Sequence, residues 1–117
     1  MSRYLSKSKY TSFRQCPKIL WMRTYKPDEE VIGPALQARF ESGNEVGDLA
    51  MGLFGEFEEV TSYDAAGKLD LSEMLSRTKD CLSRGVENIC EASFSWDGNY
   101  CAVDILHRQG DGYAVYE

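Results

Sequence analysis

Acidic residues are missing from the first 26 positions of this 117-residue chain, and they are the majority charge everywhere after that. Other absences narrow the reading further. No apolar run approaches the roughly 20 residues of a membrane span. Residues 1–9 are polar and lack the apolar stretch of a secretory signal. The chain is therefore expected in the cytoplasm, with no membrane partner. Its four cysteines, Cys16, Cys81, Cys90 and Cys101, include no CxxC pair and no compact spacing. That excludes a zinc knuckle. In a cytoplasmic protein they are not expected to form disulfides either, and buried thiols are the plain expectation. There is a single histidine, His107, and no internal repeat or low-complexity segment.

What is present is a globular composition, with 43% hydrophobic and 27% charged residues. The net charge of −6 speaks against a duplex-binding module that works by bulk charge. The distribution matters more than the sum. Arg3, Lys7, Lys9, Arg14, Lys18, Arg23 and Lys26 form a basic front, which is either a surface that follows phosphates or a solvated helical face.

Periodicity divides the chain in two. In residues 6–26, Ser6 is placed to cap a helix, with Leu5 and Tyr10 at the positions of a hydrophobic staple. Cys16-Pro17 breaks that helix, and Pro17 suits the first turn of the next, where Trp21 and Tyr25 share a face. Residues 34–54 carry the clearest helical pattern. Gln37, Glu41, Asn44, Glu45 and Asp48 form its polar stripe, and Leu36, Phe40, Val46, Ala50, Leu53 and Phe54 its apolar arc. Gly43 and Gly47 fall within that arc. Each costs about 1 kcal/mol against alanine in a helix interior, so a close packing contact is expected there, with Gly55 as the stop. A short strand is expected around residues 57–60. Asp70 and Glu73 then match a capping box for a helix through Arg84 closed by Gly85, with Leu71, Leu75, Thr78 and Leu82 facing inward. From residue 89 the period becomes two. Residues 89–96, 100–106 and 113–117 alternate and are separated by turns at 97–99 and 109–112. The expected fold is α+β, one domain over residues 1–117: mainly helical over 1–86, with those helices packed on a small antiparallel β-meander over 87–117.

The chemistry is expected on the meander. Glu91, Asp104 and Glu117 fall on its first, second and third strands. Asp104 lies between Val103 and Ile105, and an acid in so apolar a strand is costly to bury without a partner. By strand parity it shares a face with Ala102 and Leu106. Acids on adjacent strands can share a hard divalent cation such as Mg²⁺ or Mn²⁺, which orients a water for attack on phosphate.

The runs Glu91-Ala92-Ser93-Phe94, Ala102-Val103-Asp104-Ile105-Leu106 and Val115-Tyr116-Glu117 resemble the PD-(D/E)XK nuclease superfamily, most closely its RecB-like and CRISPR-associated exonuclease branch. The opening Leu5-Ser6-Lys7-Ser8, the Phe13-Arg14-Gln15-Cys16-Pro17-Lys18 that follows it, and Ser42-Gly43-Asn44-Glu45-Val46-Gly47 resemble the same branch. The resemblance implies a partial restriction-endonuclease-like fold. It implies a metal-dependent DNA nuclease, an exonuclease or processing enzyme of repair or CRISPR systems, with DNA as partner and proteins of those systems as further candidates. Carried over, Asp104 is the motif's metal-ligating Asp, Glu117 the acid of its E-x-K element, and Glu91 an accessory ligand. Arg3, Lys7, Arg14 and Lys18 are the expected nucleic-acid contacts. Cys16 occupies the place of the first iron–sulfur ligand of some members, although a buried thiol is the favoured reading.

Three departures qualify this. The motif lysine belongs two residues after Glu117. A histidine common in the branch is replaced here by Gly47. Cys81, Cys90 and Cys101 are not where the other cluster ligands fall. The chain also stops within an apolar strand, which reads as the front part of a larger domain, inactive by itself. The rival expectation is a non-catalytic module that keeps the fold and binds nucleic acid or protein.

Overall fold

The computed structural model describes residues 4–117. Arg3, one of the expected nucleic-acid contacts, lies outside them. The elements run β1 (Leu5–Ser6), α1 (Lys7–Gln15), α2 (Pro17–Tyr25), a 3-10 turn (Pro27–Glu29), α3 (Pro34–Met51), β2 (Glu58–Glu59), α4 (Leu71–Arg84), β3 (Asn88–Trp96), β4 (Asn99–Gln109) and β5 (Gly112–Tyr116). The α+β expectation holds: the described residues form four α-helices and one five-stranded sheet.

The sheet is mixed, which corrects the purely antiparallel meander. Strands β3, β4 and β5 are the expected meander, with Trp96 opposite Asn99 and Gln109 opposite Gly112 at its two tight turns. Two short strands from the helical half join it in parallel. Strand β2 pairs with β3, and β1 pairs with β4 through Leu5–Asn99 and Ser6–Tyr100. Both β1 and β5 lie along β4, at its beginning and its end, so residues 101–104 have no strand partner on that side.

Local chemistry explains the helix limits. The Ser6 hydroxyl accepts from the Lys9 N–H at 3.1 Å and starts α1. Pro17 occupies the first turn of α2. Asp70 accepts from the Glu73 N–H, and Gly85, at φ +70, ends α4 as the Val86 N–H reaches the Cys81 carbonyl. The buried face of α4 is Met74, Thr78 and Cys81. Thr78 was expected there, whereas Leu71, Leu75 and Leu82 are only half-buried. This face meets Val60, Ile89, Ala92, Val103 and Leu106 in the main core.

Helix α3 departs more from expectation. It ends at Met51, before Leu53 and Phe54, and no residue of it is buried. Most of the arc that suggested a packed face stays in solvent, with Val46 63% and Leu53 65% exposed, while Ala50 and Phe54 are half-buried. A β-carbon built on Gly43 or Gly47 would meet nothing within 4 Å. The glycines border open space, not a close contact. The radius of gyration, 15.9 Å, agrees with this loose packing, since a compact chain of this length has about 13–14 Å. Among the described residues no helix is long and apolar enough to cross a membrane.

Candidate active site

The centre of the β3–β4 ladder is distorted. Pairs form at Cys90–Ile105 and at Ala92–Val103, but the rung between them, Glu91 opposite Asp104, is missing. Glu91 has φ +58, a left-handed conformation in mid-strand for a residue with a side chain. Such a backbone costs of order 1–3 kcal/mol and persists only when its surroundings enforce it.

The distortion changes which face each side chain takes. Ile89 and Ala92, three residues apart, both enter the core against α4, and so do Val103 and Leu106 on the other strand. Strict alternation would put the members of each pair on opposite faces. Asp104 therefore does not share a face with Leu106, contrary to the parity expectation. Glu91, Asp104 and Ile105 instead line a pocket of about 700 Å³ on the side of α3. Gly43, Asn44, Gly47, Asp48, Ala50 and Met51 form its α3 wall, and Leu53, Tyr63, Tyr116 and Glu117 complete it. The room above the acids exists partly because two wall positions lack side chains.

The carboxylates sense one another. Burial first, then the charges of Asp104 and Glu59, hold the Glu91 carboxyl above the ordinary carboxylate range; Lys7 pulls the other way, and Glu117 adds a smaller push upward. Among the described residues neither Glu91 nor Asp104 has a side-chain hydrogen-bond or ion-pair partner. Glu117 does: the Lys7 ammonium donates to its Oε2 at 2.6 Å and to the Ala102 carbonyl at 2.9 Å. Desolvation lowers the Lys7 pKa, but the bond to Glu117 and the charges of Glu117 and Asp104 outweigh it, so the ammonium is held above its usual value.

The donor set suits a hard divalent cation in chemistry, being carboxylate oxygens of which two residues' are uncommitted. The geometry is incomplete. Among the described residues no three His, Cys, Asp or Glu side chains converge as a cation site. The same holds around Cys16, so no set of residues there fits an iron–sulfur cluster. Cys16 borders a separate hollow between α2 and the 3-10 turn, with Lys18, Ile19, Met22 and Arg23. Cys81 and Cys90 are buried thiols, and burial pushes Cys90 up to about 11.

The basic front divides. Lys7 reaches the acids, Arg14 and Lys18 are exposed on α1 and α2, and Arg23 pairs with Glu30. His107 stays away from the acid pair: it stacks on Phe54 with ring centroids 4.0 Å apart, and its Nδ1 lies 2.6 Å from Asn88 Oδ1. The Asn88 amide nitrogen donates to the Phe54 and Glu56 carbonyls. Its Oδ1 is thus the acceptor, and His107 Nδ1 carries the proton. Sequence reasoning missed Asp48 and Tyr63. The polar stripe of α3 was a usable signal for Asp48, and nothing near Tyr63 in the chain marks it.

No family model, no curated protein and no solved structure matches this chain.

Proposed function

We propose that this chain carries the acid site of a metal-dependent DNA nuclease, an exonuclease or DNA-processing enzyme of the RecB-like kind. One observation carries the reading: a strained Glu91 and an apolar-flanked Asp104 stand opposite each other, uncommitted, in a pocket that also takes in Glu117. A mid-strand acid in a left-handed conformation is a costly arrangement for stability alone, and such strain concentrates at functional sites.

In this reading Glu91, Asp104 and Glu117 would hold a Mg²⁺ or Mn²⁺ ion, which when bound supplies Lewis acidity and an activated water. The chain's own residues do the rest. The Gly43–Gly47 wall leaves space for a strand to approach the acids. Exposed Arg14 and Lys18 meet phosphates along α1 and α2, and contacts of that type make binding fall with salt. A second reading, a non-catalytic module that binds nucleic acid or protein, is favoured by the absence of three converging acids among the described residues.

The test uses the natural full-length gene product, with labelled single- and double-stranded DNA and with Mg²⁺, Mn²⁺ or chelator. Metal-dependent cleavage is expected, abolished in Asp104→Asn, while DNA retention stays near wild type and weakens in Arg14→Ala/Lys18→Ala. Undiminished cleavage by Asp104→Asn would refute the nuclease reading. Salt-sensitive binding with no cleavage by the wild type would establish the second.

A further inference from the structure

The one lysine that reaches the acids is held there by the fold. Strand β1 fixes the chain beside the start of β4, and the Leu5 N–H adds a 2.8 Å bond to the Gly98 carbonyl. The Ser6 cap then turns the chain into α1, and Lys7 is its first residue. From there the side chain enters the stretch of β4, residues 101–104, that neither β1 nor β5 covers. Its ammonium satisfies the Ala102 carbonyl, which has no strand neighbour on that side, and binds Glu117. Four carboxylates, of Asp48, Glu91, Asp104 and Glu117, line the pocket. Lys7 is the sole cation paired with any of them among the described residues.

We propose that Lys7 is the resident counter-cation of this site: in the metal-free protein its ammonium holds Glu117, and a divalent cation must displace it to gain the third carboxylate. The inference rests on the acid-site reading above. It accounts for why Glu91, Asp104 and Glu117 line one pocket without converging: Glu117 is committed to Lys7. The exchange is feasible because both partners are close to half-exposed, at 44% and 46%. An exposed pair of this kind is weak, and water is at hand to take up the freed ammonium. A divalent ion brings twice the charge of the group it replaces.

The experiment titrates Mn²⁺ alone into this 117-residue protein by calorimetry. Lys7→Met, nearly isosteric and uncharged, is expected to bind Mn²⁺ about tenfold more tightly than wild type, the scale of removing a unit charge a few ångströms away. Lys7→Arg keeps the charge and should stay within about threefold of wild type. Adding Asp104→Asn to Lys7→Met should remove the binding, which locates it. A second arm needs no variant. In the wild type, saturating Mg²⁺ should shift the NMR signals of the Lys7 side chain and leave those of Lys26, paired with Glu29 on the surface, in place. Equal or weaker Mn²⁺ affinity in folded Lys7→Met overturns the role of Lys7 while leaving the acid site standing. If that variant does not fold, unmoved Lys7 signals at saturating Mg²⁺ do the same. No binding of Mn²⁺ by any form, Lys7→Met included, overturns both.

Discussion

Replacing Glu91 with glycine should make the protein more stable. The left-handed conformation costs a residue with a β-carbon about 1–2 kcal/mol, and Glu91 adopts it at φ +58. Glycine escapes that cost but gives back about 0.5–1 kcal/mol through its freer unfolded chain. The backbone alone therefore favours Glu91→Gly by roughly 0.5–1 kcal/mol. The charge adds to this. Glu91 is half-buried, and burial together with Asp104 holds its folded pKa above the ordinary 4.5. The folded chain thus binds this proton more tightly than the unfolded chain does. What the group contributes to stability is complete below its unfolded value and is lost as pH rises through the raised folded value. The ionised form thus works against the fold, in the same direction as the backbone, so Glu91→Gly should gain about 1 kcal/mol, or roughly 4 °C in melting temperature. Urea unfolding across about pH 4 to 8, the span over which carboxylates and their shifted forms titrate, separates the two parts. Glu91→Gln, which keeps the backbone cost, should lack the part of the decline that Glu91 is expected to give wild type as pH leaves the carboxylate range. Glu91→Gly should lack it as well and lie above Glu91→Gln throughout. A glycine variant less stable than wild type at neutral pH would refute the strain argument, and an unchanged pH slope in Glu91→Gln would refute the charge argument.

Three further outcomes are expected. Thr78 Oγ1 accepts the buried Ser93 N–H at 2.9 Å and donates to the Met74 carbonyl. Thr78→Val should therefore cost about 1–3 kcal/mol in urea unfolding, with Thr78→Ser milder because it keeps the hydroxyl. Gly43→Ala meets no neighbour within 4 Å; it should raise the melting temperature through about 0.5–1 kcal/mol of helix propensity, where a packed glycine would lower it. Gly85→Ala should lose about 1–2 kcal/mol, because its φ is +70 and the new β-carbon would lie 2.8 Å from the Arg108 guanidinium, displacing the bond from Arg108 to the Gly85 carbonyl.

The parts of the fold legible in the sequence are those written in local chemistry. Asp70 and Gly85 bracket α4 through caps that involve only near neighbours. Asp97-Gly98 and the Gly110 turn set the hairpins because left-handed backbone is needed there. Strand β1, two residues long, is too short to carry a period; the equally short β2 falls within the strand expected over 57–60, but its parallel pairing is not legible, because its partner lies far along the chain. On the inner face of α4 the pattern points to Thr78 with three leucines; packing keeps Thr78 but buries Met74 and Cys81 ahead of Leu71, Leu75 and Leu82. Gly43 and Gly47 were read as a contact because a costly residue in a helix suggests crowding. The same cost is consistent with keeping a pocket wall bare. The grouping of Glu91 with Asp104 was legible from strand order. The left-handed turn of Glu91 was not, because nothing in a glutamate announces it, and without that turn the parity argument sent Leu106 to the wrong side.

The bond between Lys7 and Glu117 joins residues 110 positions apart, and that between Lys7 and Ala102 spans 95. The facing acids Glu91 and Asp104 need only a hairpin, which closes a short loop and forms early. Drawing β1 onto the sheet closes the long loop between Leu5 and Asn99, a contact whose entropy is hard to recover. During synthesis Lys7 emerges first and waits more than a hundred residues for its partner. The facing acids are thus assembled by neighbours, and Lys7 joins them only when that long loop closes. The one ion pair at the acids is therefore among the contacts that need the most distant parts of the sequence to be in place.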